Sequence, residues 1–230
     1  IFSKEVEWNL LRNFNKTKIK KAETEIDINL HNIRKLLNML TSKNLDEYKI
    51  NIINIINSMN HDNRDEFYNF CNNIYNLLSN NILYSSIYSD LYSYLIVSND
   101  VFKTILIKDL NSFKNLFVNL NYCDPDTDYD KFCQYNKLND NRRGLCTFYV
   151  NLFKKDVISF DNTTNIILHI LELQDNYINL TDETNKKNEL DELSEIYYIF
   201  ISNPYQLIEK TDSKISKNIY EKIYYYSNLK

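Results

Sequence analysis

The chain has 230 residues, with 27 Lys and Arg against 31 Asp and Glu. The formal charge of −4 argues against a surface dominated by nucleic-acid binding, although local basic patches survive it. One glycine (Gly144) and two prolines (Pro125, Pro204) exclude turn-rich β architectures and glycine-rich phosphate cradles, so an all-α chain is left.

The hydrophobic fraction of 43% is enough for a substantial core. Asparagine is the commonest residue, with 36 copies beside 28 Ile and 19 Tyr. The Asn residues interleave with periodic Ile, Leu and Phe, as expected of an AT-rich genome acting on solvent-facing positions. Cys71, Cys123, Cys133 and Cys146 are scattered, and no signal peptide precedes them, which fits reduced thiols in a cytoplasm. No apolar run is long enough for a membrane span. The first residue is Ile, so a fragment of a longer protein is expected.

Residues 1–28 carry mixed charge and the single Trp8 with poor periodicity, and read as an extended lead-in partly docked on the first repeat. Residues 29–230 read as one helical domain. Leu30, Ile33, Leu36, Leu37 and Leu40 recur at helical spacing, as do Leu45, Tyr48, Ile52, Ile55, Ile56 and Met59. Thr41 and Ser42 between them offer a hydroxyl N-cap to the second helix. A third stripe runs from Phe67 to Leu78, a fourth through Leu83, Ile87, Leu91 and Leu95, and a fifth from Leu106 to Leu120. Asp124 to Asp130 is too acidic for a helix interior and predicts the longest loop. Helix then resumes at Leu145, and further stripes fall at 166–173, 190–200 and 215–223. Nine amphipathic helices joined by short turns pair antiparallel. Pair starts near 30, 62, 103, 158 and 212 are irregular against the period of HEAT-type repeats, about 40–47 residues. The stripes alone leave a solenoid and a globular bundle equally open.

Candidate chemistry is sparse. Asp124, Asp126, Asp128 and Asp130 resemble a calcium loop, but Tyr129 stands where glycine is needed and Tyr135 where the closing Glu is needed. Cys123 and Cys133 lack zinc-ligand spacing. His31, His61 and His169 have no catalytic partners at suggestive spacing, and His169, inside an apolar stripe, reads as a packed residue. No enzyme, cofactor or metal is expected. The clusters Lys16/Lys18/Lys20/Lys21, Arg34/Lys35, Arg142/Arg143 and Lys154/Lys155 read first as solvated helix faces. Arg142 and Arg143 stand out because they immediately precede a strongly apolar helix, where positive charge opposes the dipole.

Two stretches carry a family resemblance. His31 to Leu45, with its Leu-Asn-Met-Leu-Thr step, is similar to the opening helix pair of the middle domain of eukaryotic translation initiation factor 4G. Asn141 to Ser159, with Arg142-Arg143-Gly144, then Phe148, then Leu152-Phe153-Lys154-Lys155 and an Ile-Ser end, resembles that family's most recognisable helix. Tyr84 to Leu91 and the position of Trp8 add weaker likenesses. The loop before Asn141 is shorter than in animal factors, and the fifth repeat ends after one helix.

The resemblance implies a HEAT/armadillo-like α-solenoid of four to five antiparallel helix pairs, monomeric and without catalysis. It also implies a translation scaffold that binds and activates a DEAD-box RNA helicase of the initiation factor 4A type, with RNA as a second candidate contact. A cap-binding protein would be reached through regions outside this chain. The same domain serves nuclear relatives in messenger RNA processing and decay, and a structural helical bundle is the alternative from another class. The composition points to a large DNA virus or an AT-rich protist as source. The family places one helicase lobe against the N-terminal repeats, so Trp8 and the turns at Ser42, Lys43, Asn80, Asn81 and Tyr84 are the expected helicase contacts. Trp8 reads equally as a staple onto the first repeat. Arg142, Arg143, Lys154 and Lys155 are the expected basic contacts for helicase or RNA.

Overall fold

A computed structural model of the chain describes residues 24–59, 63–117, 120–179, 186–202 and 213–227. Among them there is no strand, and nine α-helices pack against one another. They are α1 (Glu25–Met39), α2 (Leu45–Ser58), α3 (Arg64–Ser79), α4 (Ser85–Ser98), α5 (Asp100–Ser112), α6 (Tyr129–Phe153), α7 (Phe160–Asn179), α8 (Lys187–Ser202) and α9 (Ser213–Ser227). A short 3-10 turn, Phe113–Phe117, comes directly after α5. None of the described helices is long and apolar enough to cross a membrane.

The helix starts obey capping chemistry more closely than the stripes anticipate. α1 begins at Glu25, four residues inside the expected lead-in. Thr24 Oγ1 accepts from the Asp27 amide, capping the first turn, and donates to the Asp27 carboxylate. Asn63, Asn99 and Asp128 accept from the first-turn amides of α3, α5 and α6, and Ser159 does so ahead of α7. The expected hydroxyl cap for α2 is not used. Asn44 stands at the cap and turns its carboxamide back, accepting from Thr41 N and donating to Met39 O.

Three further expectations are corrected. Leu83, placed in the fourth stripe, lies in the turn before α4 and is 91% exposed. The fifth stripe is not one helix. α5 stops at Ser112, and Phe113, Phe117 and Leu120 are buried from the 3-10 turn and the coil beyond it. The helix expected from Leu145 begins sixteen residues earlier, at Tyr129, with Asp128 as its cap. Its early turns bury Tyr135, Asn139 and Arg142 rather than aliphatic residues.

The packing order is regular. α1 packs on α2, α3 on α4, and α7 on α8; each of α1 to α4 also meets the helix two places on, as do α6 and α7. Sequence alternation thus sorts α2, α4, α6 and α8 into one contiguous row, with α1, α3 and α5 in another. One core runs through both. Its centre is aromatic: Tyr75, Tyr92, Phe102 and Phe148 meet edge-to-face or tilted, with centroids 5.4–6.1 Å apart. Their polar ends are satisfied. Tyr92 OH donates to Phe102 O at 2.7 Å, and Asp109 accepts from both Tyr75 OH and Tyr149 OH.

This aromatic core makes stability depend on pH at the alkaline end. Burial, first of all, raises the pKa of Tyr75, Tyr92 and Tyr149 above the ordinary phenol value of 10.0. Below pH 10 both folded and unfolded chains hold these protons, so the phenols leave stability unaffected. Above it the unfolded chain releases them while the folded chain keeps them, and stability falls as pH rises. Urea midpoints are expected to begin falling near pH 9, where the unfolded chain first releases the thiols of Cys71 and Cys146, and to fall further beyond about pH 10. A phenol contribution that stays flat across about pH 10 to 11 would show that the tyrosines ionise as freely in the folded chain as in the unfolded one. The thiols of Cys71 and Cys146 are likewise pushed up by burial, Cys71 to about 12, and stay protonated packing groups.

Candidate partner-binding edge

The α1–α2 and α3–α4 turns occupy the same edge of the molecule. Tyr88 OH, at the start of α4, donates to Leu37 O, at the end of α1, at 3.4 Å. On the opposite edge, Asn29 at the start of α1 reaches Met59 beyond the end of α2. Ser42 and Lys43 are exposed on the first turn. The second turn is better built. Asn80 Nδ2 donates to Asn76 O, Asn81 Oδ1 accepts from Tyr84 N at 3.1 Å, and Tyr84 stacks on Tyr88 at 5.7 Å. Fixed in this way, the turn presents Ile82, Leu83 and Tyr84 to solvent, three consecutive apolar side chains.

The segments that carry the family resemblance meet here. Gly144 lies against the backbone of Asn80: a Cβ on Gly144 would sit 2.9 Å from the Asn80 carbonyl oxygen. Seven residues on, Asn151 Nδ2 donates to Ser85 Oγ at 3.0 Å, and Lys155 pairs with Asp90. Contacts at 144–80, 151–85 and 155–90 make α4 and α6 run in the same direction. α6 is about 37 Å long, so its residues 129–143 project past the α3–α4 turn.

Three of the four basic residues expected to face a partner, Arg142, Arg143 and Lys155, have internal partners. Arg142 and Arg143 are not at a helix N-terminus but more than three turns into α6. Arg142 is 5% exposed; its Nε donates to Leu116 O at 2.8 Å and another guanidinium nitrogen to Asn139. Burial lowers its pKa. Arg143 reaches across to α8 and grips both carboxylate oxygens of Glu192. Burial opposes its charge, but the bidentate bond to Glu192 outweighs that and its pKa is raised. Lys155 bonds Asp90, and Lys154 is exposed. Trp8, Lys16, Lys18, Lys20, Lys21 and His61 lie outside the described residues.

His169 is packed edge-on to Phe117, with ring centroids 6.2 Å apart. Among the described residues neither ring nitrogen has a hydrogen-bond partner, the Glu172 carboxylate standing 3.9 Å from Nδ1, and burial followed by the nearby Lys114 charge lowers its pKa. Among the described residues no group of three His, Cys, Asp or Glu is placed to hold a metal ion.

The sequence reading missed the far half of this edge. Where α6 projects, it faces the first turns of α8, with Tyr135 OH donating to Asn188 O at 3.3 Å. Tyr122 N donates to the buried Glu189 carboxylate at 3.2 Å and closes the end. Between them lies an open groove of about 630 Å³. The available signal was the spacing Tyr129, Phe132, Tyr135 behind the capping Asp128. Compared with protein-family models, characterised proteins and solved structures, the chain matches none.

Proposed function

We propose that the chain is a non-catalytic scaffold of HEAT-like helix pairs that holds a DEAD-box RNA helicase of the initiation factor 4A type and favours its active, closed arrangement. The observation that carries the reading is the α3–α4 turn, which exposes Ile82, Leu83 and Tyr84 on a rigid support. Other apolar side chains are exposed elsewhere, such as Val97 and Ile107, but three in succession on one turn form a contiguous patch of the kind that marks a protein contact. Interhelical turns are where stacked helix pairs present such contacts. The packing of α1 to α4 each on the helix two places on also supports a stacked-pair solenoid, because a closed bundle would bring its first and last helices together. Ser42, Lys43, Asn80, Asn81 and Tyr84 fall on this edge. A scaffold with higher affinity for the closing-competent helicase raises the population of that state by the differential affinity.

The test is the RNA-dependent ATPase rate of a purified helicase of this type, with and without the chain. The rate is expected to rise, and Leu83→Asp is expected to weaken binding at least about tenfold. Its melting temperature should not move, since the side chain is 91% exposed. Binding without stimulation would refute the activating role. Absence of binding would refute the helicase reading altogether.

A further inference from the structure

We infer that the groove between the projecting half of α6 and the first turns of α8 binds an arginine side chain presented by a basic peptide segment of a protein partner. This inference does not rest on the helicase reading. The groove's walls are unusual for a chain so rich in asparagine. Tyr122 stands at right angles to both Phe132 and Tyr135, with interplanar angles of 89° and 85° and centroids 6.3 and 5.5 Å apart. Tyr198, 63% exposed on α8, supplies a fourth ring. A cation seated over the face of any of these rings would be attracted by that ring's quadrupole.

The charge of the groove matches. Arg143 and Glu192 neutralise each other across its floor. Asp191 and Glu195, one helical turn apart on α8, also line it and form no ion pair among the described residues. Arg143 also feels the charge of Glu195, yet one cation against Asp191, Glu192 and Glu195 leaves the charged lining at −2, which repels phosphate and favours a cation. A guanidinium suits the site better than an ammonium, because it bonds carboxylates through its planar fork while stacking on a ring. The volume of about 630 Å³ accommodates an arginine side chain with its flanking backbone, and the site is open enough to be reached from a chain segment. The floor is rigid, since Glu192 is buried and held at both oxygens, and Tyr135 OH is tied to Asn188 O.

The test is fluorescence anisotropy with a labelled Gly-Arg-Gly-Arg-Gly peptide and its citrulline counterpart, which keeps the shape and loses the charge. The arginine peptide is expected to bind the chain at least about tenfold more tightly than the citrulline peptide. Asp191→Asn with Glu195→Gln is expected to remove that preference, and Tyr198→Ala to weaken binding severalfold. All three side chains are exposed, so the variants should fold. The control neutralises a pair elsewhere, Asp46→Asn with Glu47→Gln on α2. If the control loses as much binding as the groove variant, only net charge is at work and the site is refuted. Equal binding of arginine and citrulline peptides refutes it.

Discussion

Gly144→Val is expected to destabilise the chain by about 2 kcal/mol or more. The position looks like a helix interior, where replacing glycine normally stabilises by up to about 1 kcal/mol through backbone entropy. Here the first added carbon already falls 2.9 Å from the Asn80 carbonyl oxygen and 3.0 Å from its carbon. Those are backbone atoms at the end of α3, anchored by the Asn80 side chain, so they cannot step aside as a flexible side chain would. Relief requires α6 to lift from the α3–α4 turn. Ala at the same site already sets its Cβ against that backbone and should be destabilising despite the propensity gain; Val adds two more carbons and loses more. In a domain of this size a loss of 2 kcal/mol lowers the melting temperature by about 4–8 °C. A valine variant that melts with the parent would mean that the helix and turn do not touch in solution.

Arg143→Met is expected to cost about 2–3 kcal/mol, for a different reason. The Glu192 side chain is 1% exposed, and both of its oxygens accept from Arg143. Removing the arginine strands a buried carboxylate, which ordinarily costs about 3–5 kcal/mol. Arg143 itself is 35% exposed, so water can partly replace it, which brings the figure down. The double variant Arg143→Met with Glu192→Met removes both charges and should recover most of the loss. Urea denaturation of the three variants and the parent closes the cycle. If Arg143→Met is as stable as the parent, the arginine does not pair with Glu192, and its exposed role from sequence returns.

These two residues show what a linear reading can and cannot reach. Leu30, Ile33 and Leu37, or Phe67, Phe70 and Ile74, are buried where their spacing places them, because an aliphatic stripe has a single low-energy use. Arg142 and Arg143 have two, and their surroundings decide. The first half of α6 carries Tyr135, Asn139 and Arg142 on its inner face, so the hydrophobic period falls silent and the helix looks like loop. That hid sixteen residues of helix and reversed the meaning of the arginine pair, from the mouth of a helix to its middle. The α3–α4 turn was legible as an exposed edge, but its contact with Gly144 was not, since only a fold brings residues 80 and 144 together. The groove was less legible still. It joins Tyr122 to residues near position 190, and no local pattern links them.

The order of packing has a consequence for how the chain acquires its structure. The main packing partners lie no more than three helices apart along the chain. Each contact therefore closes a short loop, and little chain entropy is spent before it is rewarded. Folding can begin wherever two neighbouring helices first dock, and spread in both directions from there. α6 is the exception that joins these local steps, since it touches α3 and α4 behind it and α7 and α8 ahead. A chain emerging from the ribosome would settle its first four helices before α6 exists, and the later helices would then assemble on α6 as on a rail.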